Sequence, residues 1–141
     1  MTTFTINESK PIGKKMNGPE DLIPYLQDLK NADQEAFYAV SLDAPHKILS
    51  VDLIALGGHD YCSVDLNILF RRLLANNAAA FVIAHNHPSG NPEISKEDIE
   101  ITKKIKEGSK LLNLRLLDHL IFAGDQVIHI PIPEIPTYKS N

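Results

Sequence analysis

A continuous apolar run of strand length, Ala78 to Ala84, passes without a break into His85-Asn86-His87-Pro88 and then Ser89-Gly90-Asn91-Pro92. A strand that is apolar at every position has to be covered on both faces. The run is therefore expected at the centre of a sheet, with the polar segment emerging from its end. In folds of this kind, that is where sites are commonly built.

The flanking sequence supplies elements to cover such a strand. Residues 1 to about 16 show no sustained period and read as a flexible start or an edge strand. Gly18-Pro19 opens a helical segment, with Pro19 suited to a first turn and Leu22, Ile23, Leu26 and Leu29 forming its apolar stripe; Asn31-Ala32-Asp33 ends it. Phe37 to Leu42 and Lys47 to Leu56 read as a hairpin around Asp43-Ala44-Pro45. After the Gly57-Gly58 break, Ser63 or Asp65 can cap a helix running to about Asn76, with Leu66, Leu69, Phe70, Leu73 and Leu74 facing inward. A third helix is predicted from Ser95 to about Leu112, and two strands, Leu116 to Phe122 and Gln126 to Ile130, around Gly124-Asp125. The order α-β-β-α-β-α-β-β predicts a single α/β domain, a mixed sheet with helices packed on it. Its expected limits are residues 18–130, after an N-terminal extension at 1–17 and before a Pro-rich tail at 131–141 whose prolines cannot join a central sheet.

Composition narrows the class. With 141 residues, 43% hydrophobic and 23% charged, the chain suits one domain with one core. No apolar run approaches bilayer length, and Met1-Thr2-Thr3-Phe4 starts no signal peptide, so the expectation is a cytoplasmic protein with no membrane contact. Cys62 is the only cysteine, which excludes an intrachain disulfide and a Cys-x-x-Cys zinc site; it reads as a small packing residue. The net charge of −4 argues against unaided phosphate gripping. Lys103, Lys104, Lys106 and Lys110 are interleaved with Glu100 and Glu107, the pattern of a solvated helix face.

His85 and His87 are two residues apart, so on an extended segment both imidazoles point to one face. The prolines and Gly90 then force a tight turn, which can bring Asp98 back towards the same point. A carboxylate in the first turn of a helix is favoured in its ionised form, the form a metal ligand needs. Two imidazoles and one carboxylate, with an open position, form the ligand set of a hydrolytic zinc site; the same set can hold iron(II). Plainer readings exist for each part. The histidines can be exposed loop residues, and Ser95-x-x-Asp98 is a capping-box variant that needs no chemistry. Ser95 can cap and still donate its hydroxyl proton elsewhere.

His85-x-His87-Pro88, six residues, then Ser95-x-x-Asp98 resembles the JAMM (MPN-plus) metalloprotease motif. The longer string through Pro92, together with Leu117-Asp118-His119-Leu120-Ile121 and the stretch Arg71 to Ala80, resembles the bacterial RadC-type branch of that fold, over roughly residues 20 to 124. The resemblance implies a three-layer α-β-α JAB/MPN-like domain, related to the cytidine deaminase-like fold. It implies Zn2+ held by His85, His87 and Asp98 with a water as fourth ligand, and Glu35 as general base. Ser95 would help stabilise the oxyanion. By spacing alone Glu35 is an ordinary surface acid. In the same pattern Asp118-His119 has two readings: holding a ligand histidine in one tautomer, or satisfied strand packing. His46, His59 and His129 have no partner that spacing can name. The chain departs from RadC-type relatives where they carry His-Pro-Arg-Glu before the middle helix; Asp65-Leu66-Asn67-Ile68 stands there. The residues before Glu35 are also too few for the helix-hairpin-helix region that full-length relatives often carry.

Three functions follow as expectations. The first is a zinc metallohydrolase that cuts a peptide or isopeptide bond in a peptide or protein substrate. The second is a RadC-type module associated with DNA repair or nucleic acid, which the acidic charge disfavours. The third is an interaction domain without turnover. A zinc deaminase is excluded, because its pattern needs a downstream Pro-Cys-x-x-Cys. The string His-Asn-His is not an HNH nuclease motif, whose histidines lie far apart in sequence. Oligomeric state is not legible.

Overall fold

The computed structural model describes residues 12–57 and 63–132. Strands β1 (Ala36–Leu42) and β2 (Ile48–Leu56) form the expected hairpin. Helix α2 (Leu66–Ala75) leads into β3 (Ala80–His87), and helix α3 (Lys96–Leu111) crosses to β4 (Arg115–Ala123), which turns into β5 (Gln126–Ile130). The sheet order is β2-β1-β3-β4-β5. Strand β3 is central, antiparallel to β1 and parallel to β4, with α3 as the crossover a parallel pair requires. The sheet is therefore mixed, as the element order predicts.

Alternation along the strands sorts the core into two layers. Tyr38, Val40, Val82 and Ala84 face Leu22, Leu26 and Leu29 of the N-terminal helical segment. Phe37, Ala39, Phe81 and Ile83 face Leu69 and Leu73 of α2 and Ile105 of α3. Helices thus cover both faces of the sheet.

Three local features differ from the sequence reading, and one choice it left open is decided. The first helix is a 3-10 segment, Pro19–Tyr25, followed by one short turn of α-helix, α1 (Asp28–Asn31). Pro24 lies inside it, lacks an N–H and cannot sustain an α-helical ladder. On α2, Asp65, one of the two caps the sequence offered, is the cap, accepting from the Asn67 N–H. Leu69 and Leu73 are buried, whereas Leu74 is half exposed, because the stripe read from the sequence is wider than the face that meets the sheet. Strand β3 also continues through the histidines: Phe37 pairs with His85 on one side, and Ala123 with His87 on the other.

The described part of the N-terminal stretch runs along the edge of β2. Gly13 N–H donates to the Ile48 carbonyl, and Ile48 N–H to that of Lys14. At the other end, Ile132 is buried and its carbonyl accepts from Lys106 Nζ at 2.9 Å, so the tail begins by docking beside α3. No helix among the described residues is long and apolar enough to cross a membrane.

Candidate metal centre

His85 and His87 continue the Phe81–Ile83 row on the face of β3 that carries α3. Paired on both sides, the strand holds the two rings with centroids 5.1 Å apart. Phe37 stacks on His85, 6.0 Å between centroids and 14° between planes. Beyond His87 the chain turns at Gly90, whose φ of 81° suits a residue without a Cβ, and Gly90 N–H closes the turn on the His87 carbonyl. The turn also brings the Asn91 carbonyl to 2.9 Å from His87 Nδ1. A carbonyl only accepts, so Nδ1 carries the proton and the second nitrogen, Nε2, faces the site.

Ile94 and Ile99 pack on Ile121 and Ile130, pinning the start of α3 against β4 and β5. Ser95 caps this helix: its Oγ accepts from Asp98 N–H, and its own N–H donates to Asp98 Oδ2, each at 3.0 Å. The capping box therefore aims the Asp98 carboxylate back over β3. Oδ2 lies 2.9 Å from His87 Nε2, and Oδ1 3.0 Å from His85 Nε2. Burial favours the neutral form of Asp98. The His85 and His87 contacts and the Ser95 N–H outweigh it and hold the carboxyl well below the usual carboxylate range. The hydrogen bond to Asp98 raises the pKa of His87 against the desolvation that lowers it.

His85 Nε2 and Asp98 Oδ1 are close but off the line of a hydrogen bond, and this nitrogen is buried with no hydrogen-bond partner. An orphaned buried acceptor beside a carboxylate calls for a positive charge between them. Ligand atoms of His85, His87 and Asp98 lie within 4.8 Å of one another, which makes them a group that could hold a metal ion. Donors around a tetrahedral zinc, with bonds of about 2.0–2.1 Å, are about 3.3 Å apart, close to the contacts seen here. The donor set and the orphaned nitrogen both fit a divalent cation.

The three residues line a cleft of about 590 Å³. Ser95, Glu35 and Lys104 line it as well. Glu35 stands just before β1, and its charge is among those that raise His87. Its backbone is held by Asn86, the residue between the two histidines. Asn86 Oδ1 accepts from Ala36 N–H at 2.8 Å, and its Nδ2 donates to the Gln34 carbonyl at 3.0 Å. One amide side chain thus clamps the peptide groups on either side of Glu35.

Other sequence candidates land elsewhere. His119 is fully buried and touches His85, while Asp118 turns away to accept from His129 Nδ1 at 2.8 Å. His129 thus has a partner that spacing did not name. Half-buried His46 sits 3.5 Å from Arg115 Nη2. His59 and Cys62 lie outside the described residues. Thr102 and Asn86 escaped the sequence reading. Their only signal was position: Thr102 lies one helical turn after Asp98, and Asn86 between the histidines.

Fold and site together define an α/β protein with a His-x-His…Asp centre able to hold a metal at the end of its central strand. The model of the RadC-like JAB domain matches residues 16–130. The chain belongs to this family. It is 35% identical over 133 residues to a UPF0758 protein of Clostridium perfringens, covering 94% of this chain and 58% of that one. A UPF0758 protein of Carboxydothermus hydrogenoformans is 35% identical over 111 residues, 78% of this chain and 49% of its own. One from Vibrio parahaemolyticus is 33% identical over 129 residues, 91% of this chain and 58% of its own. The chain spans about half the length of these curated relatives.

Proposed function

We propose that this chain is a zinc-dependent metallohydrolase that cleaves a peptide or isopeptide bond in a peptide or protein substrate. The observation that carries the reading is the convergence of His85 Nε2, His87 Nε2 and the Asp98 carboxylate on one point in a cleft that Glu35 also lines. His85, His87 and Asp98 would hold the ion. Bound there, zinc supplies a Lewis acid and brings the pKa of a water close to neutrality. Glu35 takes a proton from the attacking water and delivers it to the leaving amine, so that the proton lost by the nucleophile is the one gained by the product. The Ser95 oxygen already accepts from Asp98 N–H, which leaves its hydroxyl proton to donate to the carbonyl oxygen as negative charge develops. Asn86 keeps Glu35 in register with the histidines, because its amide bonds both neighbouring peptide groups.

The test is the metal content of purified protein by elemental analysis, followed by a peptidase screen. We expect about one zinc per chain, lost in His87→Ala. Glu35→Gln should keep the zinc and lose hydrolysis, because an amide cannot accept the water's proton. Failure of the wild type to take up metal on reconstitution would sink the reading, and hydrolysis by the Gln variant would remove Glu35 from it.

A further inference from the structure

His85 is a ligand candidate whose outward nitrogen has no hydrogen-bond partner, so its inward nitrogen decides what the outward one presents. Nδ1 of His85 lies 2.8 Å from Nε2 of His119. The other nitrogen of His119, Nδ1, lies 2.6 Å from Thr102 Oγ1. Thr102 Oγ1 in turn lies 2.6 Å from the backbone carbonyl of Asp98. Thr102 and His119 have no exposed surface.

Proton directions along this chain follow from its far end. A carbonyl cannot donate, so the single hydroxyl proton of Thr102 goes to Asp98. Towards His119 the Thr102 oxygen can then only accept, and His119 Nδ1 must carry a proton. The ring nitrogens of His119 face His85 and Thr102, while Asp118 Oδ1 accepts from the backbone N–H of His119; a charged ring buried there would have no carboxylate on it, so His119 is neutral and its Nε2 is bare. A bare Nε2 accepts, and His85 Nδ1 must donate. The remaining nitrogen of His85 then presents a lone pair to the site.

We propose that Thr102 and His119 are positioning residues: a relay of buried hydrogen bonds that locks His85 in its Nδ1–H tautomer and aims the Nε2 lone pair at the metal. The relay starts at the backbone of Asp98, whose side chain is another ligand, so one residue sets the geometry of the centre by two routes. It explains why a fully buried histidine stands on β4 with its ring between His85 and Thr102. His87 reaches the same tautomer independently, through the Asn91 carbonyl.

The proposal rests on the metal-centre reading, and the experiment separates the two. Zinc affinity is measured by competition with a chromogenic chelator for wild type, His119→Leu, His119→Gln and Thr102→Val. The ¹⁵N shifts of the His85 ring are recorded in the metal-free wild type at alkaline pH. Glutamine can accept from His85 through its oxygen and donate to Thr102 through its nitrogen. We expect His119→Leu and Thr102→Val to weaken zinc binding about 10–100-fold, the range for loss of an outer-shell partner, and His119→Gln to recover most of it. His85 should be in the Nδ1–H form. Folded His119→Leu with wild-type affinity, or a His85 ring in the Nε2–H form, would overturn the relay. Should the wild type bind no zinc, the metal reading fails, while the His85 tautomer alone still upholds or overturns the relay.

Discussion

Asp98 takes part in two arrangements that one substitution can separate. Its carboxylate closes the capping box of α3 through Ser95 N–H and also faces both histidine Nε2 atoms. Asparagine keeps an acceptor for the Ser95 N–H but not the negative charge. We therefore expect Asp98→Asn to change stability by less than the ~1 kcal/mol typical of a lost cap. Its zinc affinity should fall by more than the ~10–100-fold of an outer-shell change. Chemical denaturation and chelator competition on one sample check both; unchanged affinity would reduce Asp98 to a cap. The three ligand candidates were legible in the sequence because strand alternation and a short turn govern fourteen consecutive residues, within reach of local rules. Glu35, Asn86, Thr102 and His119 were not legible in the same way. Their relation to the histidines depends on how β1, α3 and β4 pack around β3, and residue spacing does not encode that. The resemblance to RadC-type proteins, not the spacing, singled out Glu35 and offered His119 as a residue holding a ligand histidine in one tautomer.

At the scale of elements, α2 is fastened to the sheet by a polar contact as well as by Leu69 and Leu73. Asp52 on β2 has no exposed surface, yet its carboxylate accepts from Ser50 Oγ and Asn76 Nδ2 and pairs with Arg72 Nη1, each at 2.9 Å. Removing Arg72 would leave a buried charge without its counter-charge. We expect Arg72→Met to destabilise the protein by about 3–5 kcal/mol, measured by urea denaturation. The double variant with Asp52→Asn should recover part of that loss, because the uncompensated charge is gone. A loss below about 1 kcal/mol in the single variant would mean that Ser50 and Asn76 suffice. Periodicity found α2 but not this anchor, since an Asp inside a strand and an Arg on a helix look like surface residues in one dimension. Periodicity also overlooked the 3-10 geometry before β1, although the interior Pro24 was a signal against a full α-helix.

For the whole molecule, the consequence of a metal centre joining β3 to α3 is linkage between binding and folding. An ion that binds only the folded chain adds about 2.7 kcal/mol at a hundred times its dissociation constant. We expect zinc to raise the melting temperature by several degrees and a chelator to reverse it, with no response in Asp98→Asn. A melting temperature indifferent to zinc in the wild type would count against a built site. The mixed sheet was readable as a whole from the order of elements, because a fully apolar strand flanked by helices and a hairpin leaves few arrangements.

The Asn86 clamp bears on timing. It ties the segment around Glu35 to the histidine strand across 50 residues of chain. Contacts between such distant residues form only after a large loss of chain entropy. A nascent chain that has made its first hairpin holds Glu35 but neither histidine. One that has added β3 still lacks Asp98, Thr102 and His119. The cleft therefore comes into being with the last strands, and the chain cannot bring the candidate centre together before the fold around it is closed.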